Sequence, residues 1–140
     1  MAVRAEFLID SSVAARMILP AVRARLEPLI EGGVVGSCAT LDAEALYSAR
    51  NVAEYEQIMA DRRMAFEHLP VDDDHWSRAF RAQLRLALSG RHRAVGIAEL
   101  LTAVVAAEHR LTVVHYDADF EIAAEVVDFD HRWVAERGTL

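Results

Sequence analysis

The chain has 140 residues, of which 54 % are hydrophobic, and a formal net charge of −7 at pH 7. This length predicts one domain over residues 1–140, and the composition is typical of a globular rather than a disordered chain. The acidic balance argues against a general nucleic-acid coat, which is usually basic, but is compatible with an acidic catalytic site.

Composition also limits the compartment. No apolar run reaches the length of about 18 residues that a membrane span requires, and the N-terminus lacks a signal-peptide pattern. The single cysteine, Cys38, cannot form an internal disulfide and is expected to be buried and inert. A cytoplasmic protein without a membrane partner is therefore the simplest expectation.

The first half of the chain alternates strand and helix patterns. We predict a strand over residues 6–9, a helix over 11–19, a helix from Pro20 to about 32 and a strand over 34–38. A helix over 40–50 with Thr40 as N-cap follows. Asn51 then begins a helix to about residue 66, with Glu54 placed as in a capping box.

The second half continues this alternation. A short strand is predicted over residues 68–71, and the three acids Asp72, Asp73 and Asp74 favour a helix N-terminus after it. Apolar residues at spacing four predict that this helix has a core stripe, formed by Trp76, Phe80, Leu84 and Leu88. A buried helix over 97–109, a strand over 111–115, a short helix over 119–126 and a strand over 132–134 complete the chain.

Strands separated by helices predict an α/β fold with a mainly parallel sheet. Ligands bind such sheets outside the carboxyl ends of the strands, where the strand order reverses. Asp10 and Asp117 each follow a predicted strand, so both carboxylates are expected at one crevice.

Five acids are candidates for a site, and each has an ordinary alternative. Asp10 and Asp119 suit helix caps, Glu44 suits an exposed helix surface, and Glu99 suits the dipole of its own helix. Asp117 suits the turn after its strand. Together in one pocket they would repel each other, and a hard divalent cation such as Mg²⁺ relieves that repulsion through oxygen ligands.

The residues LIDSS (8–12), LDAEALYSAR around Glu44, VGIAELLTAVVAAEH around Glu99 and HYDADF (115–120) resemble the PIN-domain proteins in order, spacing and total length. The likeness is greatest to VapC-type toxins of bacterial toxin–antitoxin pairs. It implies an α/β/α sandwich with a mainly parallel sheet. It also implies an acidic set, Asp10, Glu44, Glu99 and Asp117 with Asp119 in addition, that binds Mg²⁺ or Mn²⁺.

The resemblance implies a toxin with endoribonuclease activity, in which one or two ions support attack by metal-activated water on RNA. The expected products carry a 5′-phosphate and a 3′-hydroxyl. It further implies a VapB-type antitoxin partner and a homodimer, giving a heterotetramer or larger complex. Leu46, Tyr47, Tyr55 and Met59 are candidates for the antitoxin groove or, equally, for the core.

One position departs from the family pattern. The family usually has Asp where this chain has Glu99, so the carboxylate here stands on a side chain that is one methylene longer. That difference would move the ion, favour Mn²⁺ or weaken activity, since Mg²⁺ demands near-octahedral geometry. A PIN-like binding or regulatory protein with weakened catalysis is therefore the main alternative function, and a metal-dependent DNA nuclease is a third.

Several arginines are candidates for holding RNA. Arg78, Arg81 and Arg85 share one helix face, predicted to lie opposite the apolar stripe, and Arg91 and Arg93 follow shortly before Glu99. The alternative is a solvated face with ordinary ion pairs. Ser11 is either a further ligand or simply the first residue of a helix.

Other chemistries find little support. The six histidines show no HxxxH spacing, which argues against zinc, and there is no phosphate-binding glycine motif. His115 either lines the acidic pocket or packs within the protein.

Overall fold

A computed structural model of the chain describes residues 2–140. A five-stranded sheet lies at its centre, and every strand pairing is parallel. The strands are β1 (Phe7–Ile9), β2 (Val35–Ser37), β3 (Glu67–His68), β4 (Thr112–His115) and β5 (Asp130–Trp133). The helices are α1 (Ser11–Ala14), α2 (Pro20–Glu31), α3 (Ala39–Tyr47), α4 (Val52–Ala65), α5 (Asp73–Ala87), α6 (Ile97–His109) and α7 (Asp119–Ala123).

The strand order is β3-β2-β1-β4-β5, so the chain builds outward from β1 in one direction and then crosses to β4 on its other side. The order therefore reverses between β1 and β4. Ile9 of β1 lies beside Val114 of β4, and the Asp10 N–H donates to the Val114 carbonyl at 2.9 Å. The two strand ends that carry the predicted acids are thus direct neighbours.

Alternating side chains of the central strands enter different apolar clusters. Leu8 and Val113 pack with residues of α3 and α6, whereas Ile9 and Val114 pack with residues of α1 and α2. Because successive side chains of a strand point to opposite faces, the sheet has helices on both sides. The α/β/α sandwich predicted from the sequence is confirmed.

Several predicted boundaries are wrong. Helix α1 ends at Ala14 rather than at residue 19, and turns join it to Pro20. The N-cap of α3 is Cys38, with Thr40 inside the helix. Strand β3 precedes its predicted position, and α7 stops at Ala123. In each case local propensity extended an element beyond the residues that the sheet or the neighbouring helices hold in place.

The largest correction concerns α5. Its buried residues are His75, Ala79, Ala82 and Leu86, not the predicted stripe. The stripe residues are exposed by 38 % at Trp76, 53 % at Phe80, 60 % at Leu84 and 81 % at Leu88. The period of four was correct for a helix, but a periodic apolar face does not reveal whether its own chain covers it. None of the helices over residues 2–140 is long and apolar enough to be a membrane span.

Candidate active site

Asp10 occupies the end of β1, where it also begins α1. Its Oδ2 accepts the Ser12 N–H at 3.0 Å, so the carboxylate is the N-cap of that helix. The residue is only 4 % exposed. Burial raises the pKa of Asp10, and the nearby carboxylates of Glu44 and Asp117 raise it further, against the lowering effect of the Ser12 hydrogen bonds. The predicted cap and the predicted acidic pocket are therefore both present at this residue.

Glu44 and Glu99 reach the same region from two helices. Helices α3 and α6 are joined by a 3.0 Å hydrogen bond between the hydroxyls of Thr40 and Thr102. The Ser11 hydroxyl donates to Glu44 Oε2, which connects α3 to the loop after β1. Burial raises the pKa of Glu99, and repulsion from Glu44, Asp10 and Asp117 adds to that increase, while a backbone hydrogen bond opposes it.

The Glu99 carboxylate folds over the first turn of its own helix. A Cβ built on Gly96 would collide with that carboxylate, so the residue before α6 must be small for Glu99 to keep this conformation. The longer side chain of Glu therefore fits here through a matching glycine. We find that the Glu99 carboxylate lies among the other acids rather than pointing away from them.

Asp117 follows β4 in a loop that backbone hydrogen bonds fix. Its Oδ1 accepts the Asp119 N–H at 3.0 Å, and its own N–H donates to His115 Nδ1 at 3.2 Å. The Tyr116 N–H donates to the Ser12 hydroxyl at 2.9 Å, which ties this loop to the one after β1. Burial raises the pKa of Asp119, with the Asp117 charge as a second cause.

These carboxylates have the donor chemistry that a hard divalent ion requires, since all are oxygen ligands. In their present conformations each is engaged locally, and over residues 2–140 no three acidic, histidine or cysteine side chains converge closely enough to enclose an ion. The donor set therefore fits Mg²⁺ or Mn²⁺, and coordination requires side-chain rotation.

His115 is fully buried behind this loop, as the packing alternative predicted. Its ring stacks on Phe120 at a centroid separation of 4.9 Å, and its Nε2 lies 2.9 Å from His131 Nδ1. Because Nδ1 accepts the Asp117 N–H, the proton of the neutral ring sits on Nε2. Burial, with His131 as a second cause, lowers the pKa of His115 to about 4.

This low pKa predicts a loss of stability in mild acid. The unfolded state takes up a proton near pH 6.5 and the folded state only near pH 4, so stability falls as pH is lowered through that window. The full effect is about 3 kcal/mol in unfolding free energy.

Urea unfolding between pH 7 and pH 4 is the measurement, with His115→Asn as comparison, because the Asn oxygen still accepts the Asp117 N–H. The raised pKa values of Asp10 and Glu99 act in the opposite direction and cancel in that comparison. Equal pH dependence in the two proteins would contradict the prediction.

The predicted arginines fall into two groups. Arg78, Arg81 and Arg85 line a cleft of about 360 Å³ against α6 and the segment after α7. They flank the exposed stripe rather than opposing it. Arg91 is held by Glu125 at 2.9 Å, and Arg93 is exposed.

Sequence reasoning missed Arg16. Its guanidinium lies 4.7 Å from the centroid of the Tyr116 ring and donates to the Ser12 carbonyl, so a cation contacts both acidic loops. Its only signal was its position in the turns after the LIDSS segment.

A model of the PIN domain matches residues 7–126 of the chain. Ribonuclease VapC21 of Mycobacterium tuberculosis is 41 % identical over 133 residues, which cover 95 % of this chain and 96 % of that protein. Ribonuclease VapC51 of the same species is 38 % identical, covering 96 % of this chain and 97 % of its own length.

Among solved structures, DNA-bound VapBC from Salmonella typhimurium superposes with a TM-score of 0.72 at 18 % identity, covering 94 % of this chain and 99 % of that one. At this identity the likeness concerns the fold alone. The family model and the two relatives cover nearly all of the chain, including each strand end and helix that carries an acid of the site. The chain therefore belongs to the PIN-domain family.

Proposed function

We propose that this protein is a metal-dependent endoribonuclease and the toxin of a type II toxin–antitoxin pair. The observation that carries the proposal is the meeting of Asp10, Glu44, Glu99 and Asp117 where the strand order reverses between β1 and β4. The names of the relatives, ribonucleases VapC21 and VapC51, support the same activity.

PIN-domain VapC nucleases generally depend on a divalent metal. In this chain Asp10, Glu44, Glu99 and Asp117 would hold Mg²⁺ or Mn²⁺, with Asp119 beside them. A bound ion supplies Lewis-acid stabilisation of charge on the phosphodiester. Ser11 contributes by holding Glu44 through its hydroxyl, and Ser12 contributes by fixing Asp10 and the Tyr116 backbone.

The protonation of the site follows from its burial. Asp10 and Glu99 keep a carboxyl proton to higher pH than ordinary acids, because burial and three neighbouring carboxylates disfavour their charged forms. Protons and a cation therefore compete for these two side chains. Activity should rise with pH across the range in which they ionise.

RNA requires a second surface, and we assign part of it to Arg78 and Arg81. They line the cleft beside α6, and over residues 2–140 neither forms an ion pair. Helix α5 runs antiparallel to α6, since His75 near its start contacts Glu108 near the end of α6. The arginine row thus leads toward the α6 N-terminus, where Glu99 lies. Arg91 and Arg93 are weaker candidates, because Glu125 already neutralises Arg91.

A groove beside the acids suits an antitoxin segment. A cavity of about 400 Å³ is lined by apolar residues of β1, α1, α2 and α4, among them Ile9, Met17 and Ile58. A second cavity of about 270 Å³ shares Ile9 and Ile58 and extends to Ser11 and Glu44. An extended or helical peptide lying in this groove would bring a basic side chain to the carboxylates, where it opposes metal binding by charge.

This groove differs in part from the one expected from sequence. Leu46 and Met59 line a third cavity, of about 320 Å³, next to the other two. Tyr47 is 93 % exposed and Tyr55 is 41 % exposed, so neither tyrosine belongs to the core. We propose that a VapB-type antitoxin contacts the apolar groove first and these exposed residues at its rim.

The test is RNA cleavage by antitoxin-free protein with Mg²⁺, with Mn²⁺ and with EDTA. We expect metal-dependent cutting that leaves 5′-phosphate and 3′-hydroxyl ends, and no cutting of DNA of the same sequence. Asp117→Asn keeps an oxygen for the Asp119 N–H and should lower kcat at least about 100-fold.

Two further variants locate the substrate and the departure at Glu99. Arg78→Ala with Arg81→Ala should raise KM and leave kcat unchanged, whereas Arg50→Ala, beside Glu54 on α4, should change neither. If tRNA, rRNA and mRNA all stay intact with either metal, and Glu99→Asp does not restore cutting, the protein is a binding or regulatory PIN domain instead.

A further inference from the structure

Helix α5 carries an apolar face that nothing in its own chain covers. Trp76, Phe80, Leu84 and Leu88, the α5 outer stripe, are 38–81 % exposed. Trp76 and Phe80 contact each other, with ring centroids 5.8 Å apart. The stripe extends about 18 Å along the helix axis. Single exposed apolar residues are common on protein surfaces, but a continuous patch of this kind indicates an interface.

The outer stripe is not needed to attach α5 to the rest of the protein. The opposite face does that through Ala79, Ala82 and Leu86, which pack with Leu100, Leu101 and Val104 of α6. His75 on the same inner face contacts the Glu108 carboxylate. Small residues face inward and large apolar residues face outward, the reverse of a helix selected only to fold.

The shape of this surface favours a helix as the partner. The stripe is a convex ridge of residues at spacing four, which packs into the matching groove of another helix at an angle near −50°. The concave apolar cavities beside the acids lie elsewhere, on β1, α1, α2 and α4. An antitoxin segment therefore already has a groove, and the ridge on α5 is left for a different partner.

We propose that this partner is a second copy of the chain, with the two α5 helices packed antiparallel about a two-fold axis near Phe80. Charge supports this choice. The exposed acids Asp73 and Asp74 stand at the start of α5, and Arg81 and Arg85 stand in its second half. Over residues 2–140 none of these four forms an ion pair.

A two-fold axis requires a surface that complements itself. With Phe80 at the axis, Trp76 of one copy lies over Leu84 of the second copy, and Asp74 comes within reach of Arg85 of the second copy. A parallel pair would instead place acids beside acids and arginines beside arginines. The antiparallel arrangement buries the whole stripe and matches both charged ends. This dimer does not depend on RNA cleavage.

Sedimentation velocity and light scattering of the intact chain test the proposal. We expect a mass twice that of the 15.6 kDa chain. Leu84→Glu should weaken dimerisation at least about 30-fold, as loss of a central interface anchor does. Met64→Glu replaces an apolar side chain on α4 that is 89 % exposed, and this control should remain a dimer. Circular dichroism checks that both variants are folded.

A charge exchange tests the antiparallel arrangement. Asp74→Arg alone and Arg85→Glu alone should each weaken the homodimer, because Asp74→Arg places two cations together and Arg85→Glu places two acids together. Mixing the two variants should give a heterodimer with wild-type affinity. A homodimer of Asp74→Arg as strong as the wild type would overturn the antiparallel pairing.

Two outcomes overturn the proposal as a whole. One is a wild-type chain that stays monomeric throughout the micromolar range. The other is a dimer that Leu84→Glu leaves intact and Met64→Glu dissociates, which would place the interface on α4. A monomeric chain whose co-expressed antitoxin is lost on Leu84→Glu would assign the stripe to the antitoxin instead.

Discussion

Asp10→Asn is expected to abolish RNA cleavage and, in the absence of metal, to stabilise the fold. The two effects have one cause, since Asp10 is a buried carboxylate beside two others and its charge is unfavourable until a cation binds. Asn removes the charge but retains an oxygen for the Ser12 N–H, so the cap of α1 is kept. Cleavage should fall at least about 100-fold.

The sign of the stability change follows from the pKa of Asp10. That pKa is raised in the folded protein, so the folded state holds the proton more tightly than the unfolded chain does. Stability conferred by the proton is therefore lost as pH rises above the unfolded value of 3.8, and at pH 7 the charged form is a cost. Removing an unpaired buried charge should raise the unfolding free energy on the order of 1 kcal/mol.

Thermal unfolding of both proteins in EDTA and in Mn²⁺ measures this effect. In EDTA the variant should melt higher than the wild type. Added Mn²⁺ should raise the Tm of the wild type and change that of Asp10→Asn little, because binding stabilises only a protein that binds.

Asp72→Asn is the matched control. Hydrogen bonds from His75 lower the pKa of Asp72, so this charge favours the fold and its removal should lower the Tm. A variant Asp10→Asn that melts below the wild type in EDTA would show that the Asp10 carboxylate stabilises the fold.

The position of the candidate acids could be predicted because its signals are local. A β-branched segment that ends in Asp predicts a strand followed by a turn, and two such strands in an α/β chain predict neighbouring carboxyl ends. Asp10 and Asp117 lie there, after β1 and β4. Glu44 and Glu99 needed the family resemblance, since nothing local distinguishes a helical acid in a pocket from one in solvent.

What could not be predicted depends on contacts distant in the sequence. A helix that packs on its own core and a helix that packs on another molecule have the same periodicity, so the α5 outer stripe was assigned to the core. Helix α1 was predicted too long because residues 15–19 have ordinary helix propensity, whereas the chain there turns to enter α2. The arginine-rich cleft likewise depends on α5 and α6 running antiparallel.

Arg62 is the strongest example of such a distant contact. Its Nε donates to Asp42 Oδ1 at 2.8 Å and its second guanidinium nitrogen donates to the Ser37 hydroxyl at 2.9 Å. The guanidinium also lies 4.9 Å from the centroid of the Phe66 ring. The network joins α4 to β2 and α3, twenty or more residues apart, and no sequence pattern indicated it.

Arg62→Met is expected to lower the unfolding free energy by about 2–3 kcal/mol. The Arg62 and Asp42 side chains are only 15 % and 32 % exposed, so removing the cation leaves Asp42 partly buried with Ser37 as its remaining partner. Urea unfolding measures the loss. Arg63→Met, one residue along α4 and exposed, should change stability by less than about 0.5 kcal/mol.

The same substitution also tests the antitoxin groove, because Arg62 lines all three cavities beside the acids. Arg62→Met should weaken binding of a co-expressed antitoxin while leaving cleavage by the isolated protein intact below its melting temperature. Asp42→Asn in the Arg62→Met background should recover part of the lost stability, since it removes the uncompensated charge. If the double variant is less stable than Arg62→Met, Asp42 contributes through its hydrogen bond to Ser37 rather than through the ion pair.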